Sequence, residues 1–123
     1  MQPKLRTTIA FIAGRVITGQ DRSSIFDHLQ GKSVQFEATV SPNYINVFNA
    51  DRGCYTAGPM EGNILDLYDF GHQHLVDLQI RGYTFEGWDD LASCRFSGEV
   101  NGEDISFYDD GEGKTFLFSF KQP

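Results

Sequence analysis

An aromatic residue followed by Asp or Asn recurs every 20 residues along the chain, as Phe48-Asn49, Tyr68-Asp69, Trp88-Asp89 and Tyr108-Asp109. A degenerate copy, Phe26-Asp27, lies 22 residues upstream of the first of these. Self-similarity at a fixed period constrains a fold strongly, because each copy is one structural unit that must bury its apolar face against its neighbours. Aligning the copies shows two strands per repeat. In the first, Ile45 and Val47, Leu65 and Leu67, Phe85 and Gly87, and Ile105 and Phe107 share one face, the two-residue period of a half-buried strand. In the second, Val34, Phe36, Ala38 and Val40 align with Val76, Leu78 and Ile80, with Phe96 and Val100, and with Phe116, Phe118 and Phe120.

Turn chemistry links these strands. Gly62, Gly82 and Gly102 punctuate the returns between repeats, and Pro42-Asn43 holds the same place in the first copy. Short turns make consecutive strands antiparallel neighbours. The chain therefore reads as one all-β domain, 1–123, an up-and-down meander of ten to eleven short strands. It divides into an apolar N-terminal strand at 7–18 and hairpin repeats at about 22–42, 43–62, 63–82, 83–102 and 103–121. In this reading Gly14 permits a bend or bulge, and no helical period runs longer than a turn. Pairing across the loops places Phe107 against Phe116, Ile105 against Phe118, Leu67 against Val76 and Gly87 against Phe96. An open sheet of this length would expose two edges and a whole apolar face, so closure into a barrel is expected, with the N-terminal strand pairing to the last. A two-layer sandwich and an open hairpin array are the alternatives.

Composition narrows the function. A net charge of -7 is the wrong sign for a phosphate-neutralising surface and favours a basic partner over nucleic acid. The N-terminal apolar stretch, broken by Gly14-Arg15, is too short for a membrane span and lacks a cleavage signature, so a cytoplasmic, soluble protein without membrane association is expected.

Phe26, Phe48, Tyr68, Trp88 and Tyr108 have the phase opposite to the dry face and so point outward, with Tyr55, Leu75, Arg95 and Thr115 as cross-strand neighbours of the last four. An exposed aromatic belt marks a partner surface, and Tyr, Trp and Arg dominate binding energy. The candidate binding surface is therefore Phe26, Phe48, Tyr55, Tyr68, Trp88, Arg95 and Tyr108. The competing structural account has these rings sheltering the hairpin ends, with Arg95 stacked on Trp88 as a cation–π pair. The Asp or Asn after each aromatic is read as a cap on the backbone N–H groups of the next turn.

Cys54, His74 and Cys94 share one inward register, but successive copies stand two strands, roughly 9 to 10 Å, apart. That spacing favours two buried free thiols over a zinc site or a disulfide. His72, His74 and His28 fall at hairpin tips, where solvated side chains are expected, and Asp69 is the one carboxylate placed opposite His74. Asp89-Asp90 and Asp109-Asp110-Gly111-Glu112 lack the ligand spacing of a calcium loop. The expected function is thus a non-catalytic module that engages a protein partner, or a second copy of itself, with no metal and no cofactor. A barrel carrying a small apolar ligand and a carbohydrate-binding domain are the alternatives.

Overall fold

The computed structural model describes residues 1–121. It is a closed ten-stranded antiparallel barrel with one helix. Helix α1 (Pro3–Thr18) precedes β1 (Ser24–Asp27), β2 (Lys32–Ser41), β3 (Tyr44–Asn49), β4 (Cys54–Glu61), β5 (Ile64–Asp69), β6 (His74–Arg81), β7 (Thr84–Asp89), β8 (Cys94–Asn101), β9 (Asp104–Asp109) and β10 (Lys114–Ser119). Each strand pairs with the next, and β1 closes the sheet on β10 through Phe26 with Ser119 and Asp27 with Phe118. The five hairpins are those of the 20-residue repeat. Phe107 pairs with Phe116, Ile105 with Phe118, Leu67 with Val76 and Gly87 with Phe96, as the repeat register requires.

The N-terminal segment corrects the sequence reading. Residues 7–18 belong to α1 and not to a strand, and α1 is the barrel's core: every residue from Leu5 to Gly14 is buried. The first hairpin, not an extra strand, supplies the edge that pairs with β10. A helix buried on all sides carries no polar stripe, so the amphipathic signature that identifies surface helices is missing. Its Thr and Ile content mimics a strand. The helix is nonetheless well specified at its ends, with Pro3 in the first turn and Gly19 in the left-handed conformation at the C-terminus, φ 66°, donating to Arg15 O. Thr7, Thr8 and the half-buried Thr18 donate their hydroxyls to the carbonyls four residues back, which satisfies the first two inside an apolar lumen.

Packing between helix and wall is aromatic. Phe11 stacks on Phe36 with ring centroids 4.2 Å apart and meets Phe120 edge-on at 6.0 Å. Gly14 owes its place to this contact and not to a bend: a Cβ there would come within 2.6 Å of the Phe120 ring. On the far side Phe96 and Phe107 stack at 5.2 Å, and the rings of Phe96 and Phe85 lie over Gly87 and Gly98, small residue against large.

Among the described residues, no helix is long and apolar enough to cross a membrane.

Candidate functional site

The Asp and Asn residues of the repeat converge at one end of the barrel. Because each follows an outward aromatic, each points inward, and Asp27, Asn49, Asp69, Asp89 and Asp109 are all buried. Their Oδ1 atoms accept backbone N–H groups of the loop that follows: Leu29 and Gln30, Asp51 and Arg52, Gly71, Leu91, and Gly111 and Glu112. The turn-capping role read from the sequence holds in every copy. Each loop also ends in a left-handed residue at the same place, Gly31, Gly53 and Gly113 and, without glycine's freedom, Gln73 and Ser93.

The helix lies inside this ring with its N-terminus at the carboxylate end, where the partial positive charge of its dipole faces negative charge. Asp109 Oδ2 sits 3.1 Å from Arg6 Nη1 and 3.4 Å from the Met1 nitrogen. Asn49, the one neutral member, donates through Nδ2 to Thr8 Oγ1 at 3.0 Å, so an amide stands where the helix offers a hydroxyl and not a cation. Asp69 Oδ2 accepts from Arg52 Nη2 at 2.8 Å and has His72 and His74 at 3.5 and 3.8 Å. Burial pushes the Asp69 carboxyl up, but the Arg52 hydrogen bond and charge, with help from the Gly71 N–H and His74, outweigh it and hold the group below the usual carboxylate range. His74 Nε2 lies 2.9 Å from Asp89 Oδ1, at ion-pair distance though off hydrogen-bond geometry.

His74 therefore differs from the expectation of a solvated tip residue. It is buried between two carboxylates, because the stagger between hairpins pairs Val76 with Asp89 and swings that carboxylate beside Asp69. His72 remains exposed. Cys94 and Cys54 are both free thiols; Cys94 is buried while Cys54 is half-buried, so only one matches the expectation of a fully buried pair. Burial raises the Cys94 thiol, and Asp109 and Asp89 add to the effect. No group of three or more His, Cys, Asp or Glu side chains among the described residues is arranged to hold a metal ion. A cleft of about 480 Å³ opens beside the helix N-terminus, between Lys4, Lys32, Arg52, Cys54 and His72.

The aromatic belt faces outward at this same end, and its predicted partners are met: Phe48 with Tyr55, Tyr68 with Leu75, Trp88 with Arg95 and Tyr108 with Thr115. Its members divide. Phe26, Phe48 and Tyr68 are half-buried against His28, Tyr55 and Phe70, with ring centroids 5.0, 4.9 and 4.7 Å apart. Tyr55, Trp88 and Tyr108 are open to solvent. Arg95 does not cover Trp88; its guanidinium reaches Glu86 at 3.0 Å, and no cation–π contact to the indole occurs among the described residues.

The structure adds side chains that the repeat phase did not single out. Leu29, Phe70 and Leu91, in the tip loops, are 58%, 55% and 51% exposed, and Leu75 is 56% exposed. Backbone hydrogen bonds between hairpins make several of them neighbours: Phe70 N donates to Tyr55 O and Asp90 N donates to Leu75 O. Tyr55, Phe70, Leu75, Leu91 and Trp88 thus lie exposed at the carboxylate end of the second, third and fourth hairpins, and this set is the apolar strip. The signal available in the sequence was a large apolar residue inside an otherwise polar turn, as in Asp69-Phe70-Gly71 and Asp90-Leu91-Ala92.

Comparison with protein-family models, with curated proteins and with solved structures finds no match to the chain.

Proposed function

We propose that the protein is a non-catalytic binding module that engages a protein partner through the apolar strip at the carboxylate end of the barrel. The observation that carries this reading is the half-exposure of Leu75, at the start of β6, and of Phe70 and Leu91, on loops that are themselves fixed by the buried Asp caps. Folding gains little from the half of a large apolar side chain left in water, whereas burying that half against a partner is worth about 1–1.5 kcal/mol for each. Rigid loops also lose little entropy on docking. Asp90, Asp110 and Glu112 flank the strip, and the chain carries a net -7, so a basic partner fits best.

The barrel-carrier alternative loses its usual basis, since α1 occupies the lumen where a ligand would sit. The buried His74 cluster, with Asp69 held by Arg52 and Asp89 beside the imidazole, supports packing of the barrel end.

The test is comparative. Phe70→Ser and Leu91→Ser should leave thermal stability within about 1 kcal/mol, as exposed changes do, while abolishing capture of a partner retained by the wild-type protein or dissolving a homodimer seen by sedimentation. If the two variants unfold the barrel, or capture and self-associate as the wild-type protein does, the strip is not the interface.

A further inference from the structure

We propose that a groove on the outer wall between β5 and β8 seats a Lys or Arg side chain of that basic partner; the proposal rests on the binding reading above and names the chemistry of one contact. The groove, about 430 Å³, is lined by Ile64, Asp66, Asp77, Glu86, Trp88 and Arg95, among others. It adjoins the apolar strip, because Tyr68 and Leu75 form the cross-strand pair next above Asp66 and Asp77.

Three features of the groove call for a cation. Asp66 and Asp77 are directly opposed across β5 and β6, both exposed, and like charges in that position destabilise a sheet. Neither makes an ion pair with any described residue, and Arg81 and Arg95 both pair with Glu86, at 3.7 and 3.0 Å. Trp88 stands directly opposite Asp77 on the next strand and is 39% exposed. The chain thus sets two opposed carboxylates beside a partly exposed indole, while Glu86 engages the groove's own guanidinium, that of Arg95. An incoming ammonium or guanidinium would neutralise both carboxylates through charge-assisted hydrogen bonds and lie against the indole face, and Ile64 would cover its aliphatic stem.

The experiment uses a capped peptide alternating Leu and Arg and a second in which neutral, isosteric citrulline replaces each Arg. Binding is followed by the anisotropy of a label on the peptide and by emission of Trp88, the only tryptophan in the chain. The Arg peptide should bind saturably, shift the Trp88 emission and weaken steeply with salt, and the citrulline peptide should bind about tenfold more weakly. The Asp66→Asn/Asp77→Asn double variant should lose the same factor for the Arg peptide while melting no lower than wild type, since a repulsion has been removed. Equal binding of both peptides, undiminished binding to the double variant, or no binding of the Arg peptide would overturn the proposal. Phe70→Ser and Leu91→Ser separate it from the reading it rests on. If they abolish binding of both peptides while the Asn variant binds normally, the strip stands and the groove fails. If they leave Arg-dependent binding intact, the groove stands and the strip fails.

Discussion

Phe11 offers the sharpest test of the architecture, because a helix in the lumen and a strand in the wall make opposite predictions for its neighbours. Phe11 is fully buried, stacked on Phe36 and set edge-on to Phe120. Truncation to Ala removes a large aromatic from a site that the closed barrel cannot collapse around, which costs about 3–5 kcal/mol. That is a large share of the 5–15 kcal/mol typical of a domain, so Phe11→Leu, at about 1–1.5 kcal/mol, provides a folded reference. Urea unfolding followed by far-ultraviolet circular dichroism measures both. A double-mutant cycle with Phe36→Ala should return a coupling of about 0.5–1.5 kcal/mol for the stacked pair. The decisive companion is Ala10→Asp. On a wall strand, residues 10 and 11 would face opposite sides and one of them would tolerate a charge; in the helix both are 0% exposed, so both changes should cost several kcal/mol. Tolerance of Ala10→Asp, or a loss below about 1 kcal/mol for Phe11→Ala, would refute the helical plug.

Two further predictions concern the carboxylate end. The Asp69 carboxyl is held below its unfolded value of about 3.9, so its contribution to stability is complete above that pH and is lost as pH falls through the lower folded value. Asp69→Asn should therefore lower stability at neutral pH and flatten its decline below about pH 4, as read from urea midpoints across the acid range; an unchanged acid slope would count against the Arg52 pairing. Gln73 and Ser93 hold the left-handed position that glycine fills in the other three tip loops, with φ of 54° and 50°. Replacing either with Gly should stabilise the protein by about 0.5–1 kcal/mol, the left-handed strain being larger than glycine's added chain entropy; thermal melting lower than wild type would show that these side chains do something the loop geometry does not.

Much of the architecture is legible because strand phase is a local property. Alternation and turn residues place Phe107 opposite Phe116 and set Trp88 on the outer face beside Arg95, with no knowledge of the rest of the fold. The helix is illegible for the same reason. Its residues from Leu5 to Gly14 are buried on every side, with Arg6, Thr7 and Thr8 bonded internally, and the environment that makes such a segment helical, a ring of strands satisfying nothing of its backbone, exists only once the barrel closes. The candidate site divides likewise. The outward direction of the belt is readable, but how far a ring stays open depends on how the tip loop folds back: Phe70 packs edge-on against Tyr68, while Trp88 has no aromatic partner among the described residues and is 39% exposed.

What the sequence determined by itself is a five-hairpin meander with a dry and a wet face, its loops capped by Asp or Asn, because these follow from the two-residue strand period and from side chains bonding to their own turns. Tertiary structure alone decided what fills the barrel and what the capping residues do with their remaining atoms. Closure brings Asp109 to Arg6 across 103 residues of chain and His74 between Asp69 and Asp89. Charges so far apart in sequence acquire partners only through the stagger of the closed sheet, which also leaves the opposed Asp66 and Asp77 beside the partly exposed Trp88 on the outer wall.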